Sequence, residues 1–152
     1  MIAALLLSLG ASGAGPVPAS GQGTMFACSI GSRQLTVEYD GTALVYRFGT
    51  RARPELIIRA TPTSGRVSYH RTGYLRAEDQ TLRFQRGRYS YVVFSYWSAP
   101  SAGTPENFGG GVLVLDGGRR IARHNCSSGG DMREWPVFQR LPQDEQNLTP
   151  DD

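Results

Sequence analysis

The sequence predicts an all-β domain, and three observations lead to that prediction. Gly is frequent, at 19 of 152 residues, and 39% of the residues are hydrophobic, which suits short strands joined by many turns. Runs in which polar and apolar residues alternate recur along the chain, and turn residues separate them. No stretch has the apolar spacing of an amphipathic helix of useful length. We therefore expect a small antiparallel barrel or sandwich of about 7–8 strands.

A β-hairpin over residues 33-48 is the clearest element of the sequence. Apolar and polar residues alternate before Asp40-Gly41, and after it Leu44, Tyr46 and Phe48 alternate with smaller or polar residues. A two-residue type I′ turn needs a positive φ at both of its positions, and Asp-Gly is one of the dipeptides preferred there for that reason. Such a turn sets Val37 opposite Leu44, so that the apolar faces of the two strands match.

Two single strands and a second hairpin follow the first hairpin. Residues 55–60 and 65–71 each predict a short strand. The second hairpin spans residues 81-97 and turns near Gly87. Its second strand contains a nearly continuous apolar run over residues 91–97, which indicates burial on both faces of the sheet.

A third hairpin, over residues 112-126, has Gly117-Gly118 as its turn. The preceding Gly109-Gly110-Gly111 stretch marks a bulge or the close approach of another backbone segment. A phosphate-binding loop would need a following helix and a Lys, and the chain contains no Lys. These glycines are therefore interpreted as part of the β architecture.

Residues 131–138 predict a short helical turn that Pro136 ends. Three apolar side chains of this segment, Trp135, Val137 and Phe138, are expected to cover one end of the core.

The composition divides the chain into three parts. Residues 1-23 form a leader whose apolar run, residues 2–9, precedes small residues and prolines, a pattern typical of a signal peptide. Residues 24-141 are a single β domain, and residues 142-152 are a polar, acidic tail that we expect to be disordered. No basic residue precedes the apolar run, so a disordered low-complexity N-terminus is the alternative.

Two cysteines in an exported chain predict one disulfide, between Cys28 and Cys126. A bond that closes a loop of about 100 residues adds about 4–5 kcal/mol in the chain-entropy account. Two alternatives remain: Cys28 would carry a lipid anchor after cleavage of the leader, or Cys126 would be a nucleophile beside His124. We expect a periplasmic or secreted protein without a transmembrane segment, because the apolar run is too short to span a bilayer.

The positive charge of the chain comes entirely from Arg, with 16 Arg and no Lys. Four of the 13 acidic residues lie in the last twelve positions, so nine acids face 16 arginines in the body, which carries about +7. Such a body could attract nucleic acid, an anionic polymer or an acidic protein, or it could simply be a soluble surface. Export argues against nucleic acid as the partner.

Catalytic and metal-binding chemistry is not indicated by the sequence. His70 and His124 lie far apart, and the ionisable residues do not cluster with metal-ligand spacing. We expect a protein that is not an enzyme and that uses no cofactor and no metal. One alternative is a small periplasmic hydrolase-like enzyme, in which one of these histidines needs a carboxylate within hydrogen-bonding reach. Another is a structural envelope module without a specific ligand.

Arg and Tyr are interleaved between residues 66 and 91, and both residue types are enriched at binding hot spots. The candidate binding residues are Arg71, Tyr74, Arg76, Arg86 and Arg88. The loop over residues 98–108 is a second candidate contact region. Alternatively, the tyrosines face the core and the arginines form the solvated face of the same strands. The predicted function is that of an exported, non-enzymatic binding protein that recognises a protein or a cell-envelope polymer.

Several short segments resemble a group of small, exported, functionally uncharacterised proteins of Gram-negative bacteria. They are the stretch "CSIGSRQLTVEYDGTALVYRFG", the following "PEL" and the later "ENFGGGVLVLDGGRRIARHNC". The resemblance covers about residues 28–126 in pieces and implies no activity. Members of the group often have a further Cys where this chain has Glu38, and its absence here supports the pairing of Cys28 with Cys126.

In size, export and β content the chain is also similar to periplasmic lysozyme inhibitors, which are small antiparallel barrels. Their Ser-Gly-x-x-Tyr segment has a loose counterpart in "RTGYLR", and their Trp-x-Lys-Gly piece is absent. This similarity implies inhibitor-like binding as one form of the predicted function, by analogy of fold.

Overall fold

The computed structural model describes residues 21–146 and residue 148, and the ten strands of this part form two antiparallel sheets. In chain order the strands are β1 (Gly23–Ile30), β2 (Arg33–Tyr39), β3 (Leu44–Gly49), β4 (Pro54–Ala60), β5 (Val67–Tyr74), β6 (Ala77–Arg86), β7 (Tyr89–Ser98), β8 (Asn107–Asp116), β9 (Arg119–Asn125) and β10 (Ser128–Gly129), and a 3₁₀ helix spans Pro136–Arg140. The N-terminal sheet has the order β10-β1-β2-β3-β4, and the C-terminal sheet has the order β5-β6-β7-β8-β9. The all-β prediction is confirmed, and the two open sheets form a sandwich.

Parts of two predicted segments lie outside the described residues. They are residues 1–20 of the leader, and Asn147 and residues 149–152 of the tail. Over residues 21–146 and 148, no helix is long and apolar enough to cross a membrane.

The strand number exceeds the expected seven or eight because two strands carry no clear sequence signal. β1 has a bulge between Thr24 and Phe26, so that Met25 and Phe26 are both buried and the alternation of polar and apolar residues is broken. β10 has only two residues and forms by pairing with β1. A strand of that length cannot be recognised from periodicity.

The β2–β3 hairpin forms where predicted, but the expected register was wrong by two residues. Tyr39 pairs with Leu44, and Val37 lies opposite Tyr46. The connection therefore has four residues instead of two. The apolar faces still match, because a shift of two residues keeps each side chain on the same face of the sheet.

The Asp40 carboxylate organises this four-residue connection. Its Oδ1 accepts hydrogen bonds from the backbone N–H groups of Thr42 and Ala43, both at 2.9 Å. Within the connection only Gly41 has a positive φ, which excludes the type I′ turn. Hydrogen bonding to Arg59, and then to the two backbone N–H groups, lowers the pKa of Asp40 to about 2, so the carboxylate is ionised at neutral pH.

The other two predicted hairpins are confirmed. The β6–β7 hairpin turns at Gly87, which has a φ of 60°. The β8–β9 hairpin turns at Gly117 and Gly118, which both have positive φ, as a type I′ turn requires. β8 already begins at Asn107, so the predicted loop over residues 98–108 is shorter than expected.

Tyr46 of β3 contacts the C-terminal sheet at the centre of the core. Its ring centroid lies 5.6 Å from that of Phe84 and 5.6 Å from that of Tyr91. Burial, and then the neighbouring Tyr91, raises the pKa of the Tyr46 hydroxyl. Large apolar side chains from both sheets belong to the same core cluster as Tyr46, among them Phe26, Leu35, Val37, Leu44, Ile58, Val67, Leu82, Val93 and Val112.

At residues 126–130, which we call the corner, the chain passes from the C-terminal to the N-terminal sheet. The backbone N–H of Cys126 donates to the carbonyl of Gly110 in β8 at 2.8 Å, and β10, inside the corner, pairs with β1. Cys28 and Cys126 are at disulfide-bonding distance, with their Cα atoms 5.6 Å apart, which confirms the predicted pair. The corner therefore joins the two sheets both covalently and through backbone hydrogen bonds.

Gly110 has no space for a side chain, because the corner lies directly against β8. A Cβ atom there would lie 2.5 Å from the carbonyl oxygen of Gly130 and 2.7 Å from that of Phe94. The predicted close backbone approach at Gly109-Gly110-Gly111 is confirmed. The irregularity of the β8–β9 pairing lies further along, after Val114.

Trp135, Val137 and Phe138 are buried as predicted, but Pro136 begins the helical turn instead of ending it. A Pro at the first helical position needs no N–H partner, and its fixed φ suits a helix start. The Phe138 ring stacks on Tyr69 of β5, with ring centroids 4.5 Å apart.

Residues 142–146, which we expected in the disordered tail, lie along β5. The Tyr69 N–H donates to the Pro142 carbonyl at 3.0 Å, and the Asp144 N–H donates to the Tyr69 carbonyl at 2.9 Å. Arg83 Nε donates to Asp144 Oδ2 at 2.7 Å, and the two side chains are only 5% and 6% exposed. A buried ion pair thus fixes this segment to the sheet.

A second apolar cluster lies on the outer face of the C-terminal sheet. Its buried members are Val92, Phe94, Leu113 and Leu115, and the partly buried Tyr96 and Leu148 pack against them. The middle of β7 is therefore buried on both faces, as predicted, but the predicted burial does not extend to the end of the apolar run, where Trp97 is exposed.

Replacing both cysteines by serine, Cys28→Ser with Cys126→Ser, should lower the free energy of unfolding by about 2–5 kcal/mol, because the unfolded chain then gains entropy. Urea denaturation of the oxidised protein, with and without reductant, measures this change. Reductant should destabilise only the parent protein. Two titratable thiols in the folded, oxidised protein would contradict the pairing.

Gly110→Ala should lower the free energy of unfolding by about 1–3 kcal/mol, because the added Cβ meets backbone atoms that cannot move aside. Gly73→Ala is the matched control, since Gly73 is also a strand residue and a Cβ atom added there would meet nothing within 4 Å. Thermal melts of both variants test the difference. Equal stabilities would show that the corner does not press on β8.

Asp144→Asn should lower the free energy of unfolding by about 3–5 kcal/mol, because it leaves the buried Arg83 guanidinium without its counter-charge. Glu145→Gln removes an exposed charge from the adjacent position and should change the stability little. Urea denaturation of both variants measures the effect. A small, equal change in the two variants would argue against the ion pair.

Candidate binding surface

One end of the C-terminal sheet carries exposed side chains on both of its faces, and we call it the distal end. It comprises residues 71–80 of β5, β6 and their turn, and residues 95–110 of β7, β8 and their loop. In the middle of the sheet the inner face is covered by the N-terminal sheet, whereas Trp97 and Phe108 at the distal end remain exposed.

Exposed apolar side chains are concentrated at this end. Of the seven large exposed ones in the described part of the chain, four belong to the distal end: Tyr74, Leu75, Trp97 and Phe108. Trp97 and Phe108 lie directly opposite each other on β7 and β8. The indole Nε1 of Trp97 donates to Glu106 Oε1 at 2.6 Å, which orients the ring.

The structure brings together three of the five predicted binding residues. Arg71, Tyr74 and Arg76 lie at the distal end, and the Arg76 guanidinium donates to the carbonyl of Pro100. This contact joins them to the loop that was the second candidate region, and a backbone hydrogen bond from Ala99 to Arg76 reinforces it at 2.8 Å. The two regions that the sequence analysis treated as separate therefore lie at one end of the sheet, with Arg71 and Tyr74 on opposite faces of β5.

Arg86 and Arg88 do not belong to the distal end. They lie at the opposite end of β6 and β7, about 30 Å away along a ten-residue strand. Arg88 forms an ion pair with Asp116. The five predicted residues thus do not form one Arg-Tyr face.

The distal end is mixed in charge and not basic. Arg71 forms an ion pair with Glu78, and the hydrogen bond and charge of that carboxylate raise the pKa of Arg71. Asp79 and Glu106 add further carboxylates. The net positive charge of the body therefore does not attract polyanions to the distal end in particular.

A hollow of about 390 Å³, which we call the outer hollow, lies on the outer face of the distal end. Its lining includes Tyr74, Asp79, Tyr96, Asn107 and Arg123, one from each strand of the C-terminal sheet. Desolvation, and then the charge and hydrogen bond of Asp79, raise the pKa of Tyr74, so its phenol is neutral at neutral pH.

Two glycines of β8 leave space for aromatic rings of β7 on the outer face of the sheet, and one of these rings, Tyr96, lines the outer hollow. Tyr96 lies opposite Gly109, where a Cβ atom would be 2.5 Å from the Tyr96 hydroxyl. Phe94 lies opposite Gly111, and a Cβ there would collide with the backbone of β9 and with the Phe94 ring. The glycines let both rings lie across β8. The Arg123 guanidinium in turn lies 5.1 Å from the Phe94 centroid.

The inner face of the distal end holds a smaller hollow of about 200 Å³ beside Trp97. The segment that follows the corner closes it. Gln80 Nε2 donates to the Met132 carbonyl at 3.0 Å, and the Met132 N–H donates to Ser95 Oγ at 3.2 Å. The inner face of the distal end is therefore held by hydrogen bonds to this segment.

A further hollow, of about 250 Å³, lies on the outer face of the N-terminal sheet. Its lining is mainly polar and includes Gln34, Thr36, Glu38 and Arg47. None of the large exposed aromatic side chains of the described residues lines it, which distinguishes it from the distal end.

Within the described part of the chain, neither histidine forms a hydrogen bond with a carboxylate. His70 Nε2 lies 2.8 Å from Thr72 Oγ1, and its Nδ1 lies 3.1 Å from the backbone carbonyl oxygen of Asp144. The exposed His124 ring lies 6.1 Å from the Phe48 ring. Among the described residues, no group of three His, Cys, Asp or Glu side chains could hold a metal ion.

Sequence reasoning missed Tyr96 and Arg123 of the outer hollow, whereas Asn107 lies within the candidate loop over residues 98–108. The indirect signal for Tyr96 was its aromatic strand, which lies opposite the triple glycine once β7 and β8 pair.

Comparisons with protein-family models, with curated proteins and with solved structures gave no match to this chain. The resemblance to small exported proteins of Gram-negative bacteria therefore stays an expectation, and the function has to be argued from the surface itself.

Proposed function

We propose that this chain is an exported, non-enzymatic binding protein and that the distal end of its C-terminal sheet recognises a component of the cell envelope. The observation that carries the proposal is the concentration of exposed aromatic and apolar side chains at this end. Large exposed apolar patches on soluble domains mark interaction sites.

The residue types at the distal end suit recognition. Trp, Tyr and Arg are enriched at binding hot spots, and all three occur here, as Trp97, Tyr74 and Arg76. Trp97 and Arg76 are held by hydrogen bonds to the neighbouring loop, so little conformational entropy is lost when a partner binds.

The Cys28–Cys126 pair supports the proposed compartment. Disulfides persist in oxidising compartments such as the periplasm and the extracellular space. Together with the signal-peptide pattern of residues 1-23, this pair favours export.

Phe108→Ala and Leu75→Ala should each weaken binding of the purified protein to isolated Gram-negative cell envelopes by about fivefold or more, because both remove exposed apolar contact area. Co-sedimentation of labelled protein with envelopes, over a range of protein concentrations, measures this binding.

Tyr89→Ala and Ile57→Ala are the matched controls for this experiment. Both side chains are large and exposed but lie away from the distal end, and their removal should leave binding unchanged. Equal binding by all four variants and the parent protein, or a loss confined to the two controls, would overturn the proposal.

A further inference from the structure

The outer hollow has the form of a shallow trough across the sheet. Its lining residues Tyr74, Asp79, Tyr96, Asn107 and Arg123 come from β5, β6, β7, β8 and β9, so all five strands contribute to it. Neighbouring strands lie about 4.8 Å apart, so the strands that contribute the lining span about 19 Å. Such a trough suits an elongated ligand that lies across the strands.

The floor of the trough is aromatic and held in place. Tyr96 lies across the space that Gly109 leaves open and packs on the second apolar cluster. Tyr74 interacts with Asp79 at the rim. Rings that lie along a sheet offer flat apolar surfaces, and a ligand with flat C–H faces can pack on them.

The polar groups of the trough supply both donors and acceptors. Asp79 contributes a carboxylate, Arg123 a guanidinium, and Asn107 an amide that both donates and accepts. One negative and one positive side chain balance each other, so the trough favours an uncharged ligand rich in hydroxyl groups.

We propose that the outer hollow binds an uncharged, β-linked glycan, whose equatorial substituents leave flat C–H faces for the rings and whose hydroxyls reach the polar rim. This inference rests on the proposed function, because it names a ligand class for the outer face of the same distal end. The volume of about 390 Å³ lies within the usual range of small-molecule sites, roughly 300–1,000 Å³.

Other ligand classes fit this trough less well. An anionic polymer gains little net attraction there, because the carboxylate of Asp79 offsets the guanidinium of Arg123. An extended peptide that adds a strand needs the unpaired backbone groups of a sheet edge, whereas the trough is lined by side chains on the outer face of the sheet.

Isothermal titration of the oxidised full chain with N-acetylchitotetraose and with cellotetraose tests the proposal. We expect binding of at least one of them with a dissociation constant of about 1 mM or tighter. Tyr74→Ala and Asn107→Ala should each weaken it about tenfold. Tyr89→Ala, an exposed tyrosine at the other end of the same sheet, should leave it unchanged.

No binding of either oligosaccharide, or equal affinities of the Tyr74→Ala and Tyr89→Ala variants, would overturn the glycan proposal. If the oligosaccharides fail to bind while Phe108→Ala still reduces envelope binding, the glycan inference is wrong and the proposed function stands. If Phe108→Ala also leaves envelope binding unchanged, the proposed function is wrong as well.

Discussion

The corner at residues 126–130 is the constraint on which the rest of the structure depends. There the chain leaves one sheet and enters the other, and the disulfide between Cys28 and Cys126 holds both sheets at that point. The close contact requires a glycine at position 110 of β8. The segment after the corner then reaches the distal end, where Met132 bonds to two strands of the C-terminal sheet. The corner that joins the two sheets therefore also positions the segment that lines the surface proposed for binding.

Several of the arginines form ion pairs within the fold. Arg83 is buried against Asp144, Arg59 pairs with the carboxylate that organises the first hairpin, and Arg71 pairs with Glu78. Exposed pairs of this kind contribute little to stability, about 0–1 kcal/mol, whereas a buried one is costly to break. As a result the positive charge of the body does not form a coherent patch at the distal end, and recognition there depends on aromatic and hydrogen-bonding groups.

The fold was largely predictable because hairpins are local: the alternation of side chains and the glycine turns at Gly87 and Gly117 are readable from the sequence. The hairpin register at Asp40 was not predictable from the sequence. A four-residue connection held by the Asp40 side chain can replace a two-residue turn and leave the same side chains on the apolar face. The surface was predictable only in part. Arg71, Tyr74 and Arg76 were identified, but Arg86 and Arg88 lie at the far end of a long strand. Tyr96, Asn107 and Arg123 converge only through non-local pairing, which the sequence does not display.

The central claim is that the distal end, and not another face, meets the partner. Site-specific photo-crosslinking tests it most directly, with p-benzoylphenylalanine in place of Phe108 in one variant and of Tyr89 in another, both irradiated in intact cells that export the protein. Both positions are exposed and lie at opposite ends of the C-terminal sheet. We predict a covalent adduct, seen as a discrete mass increase, from position 108 and none from position 89. An adduct from position 89 alone, or equal adducts from both positions, would contradict the account.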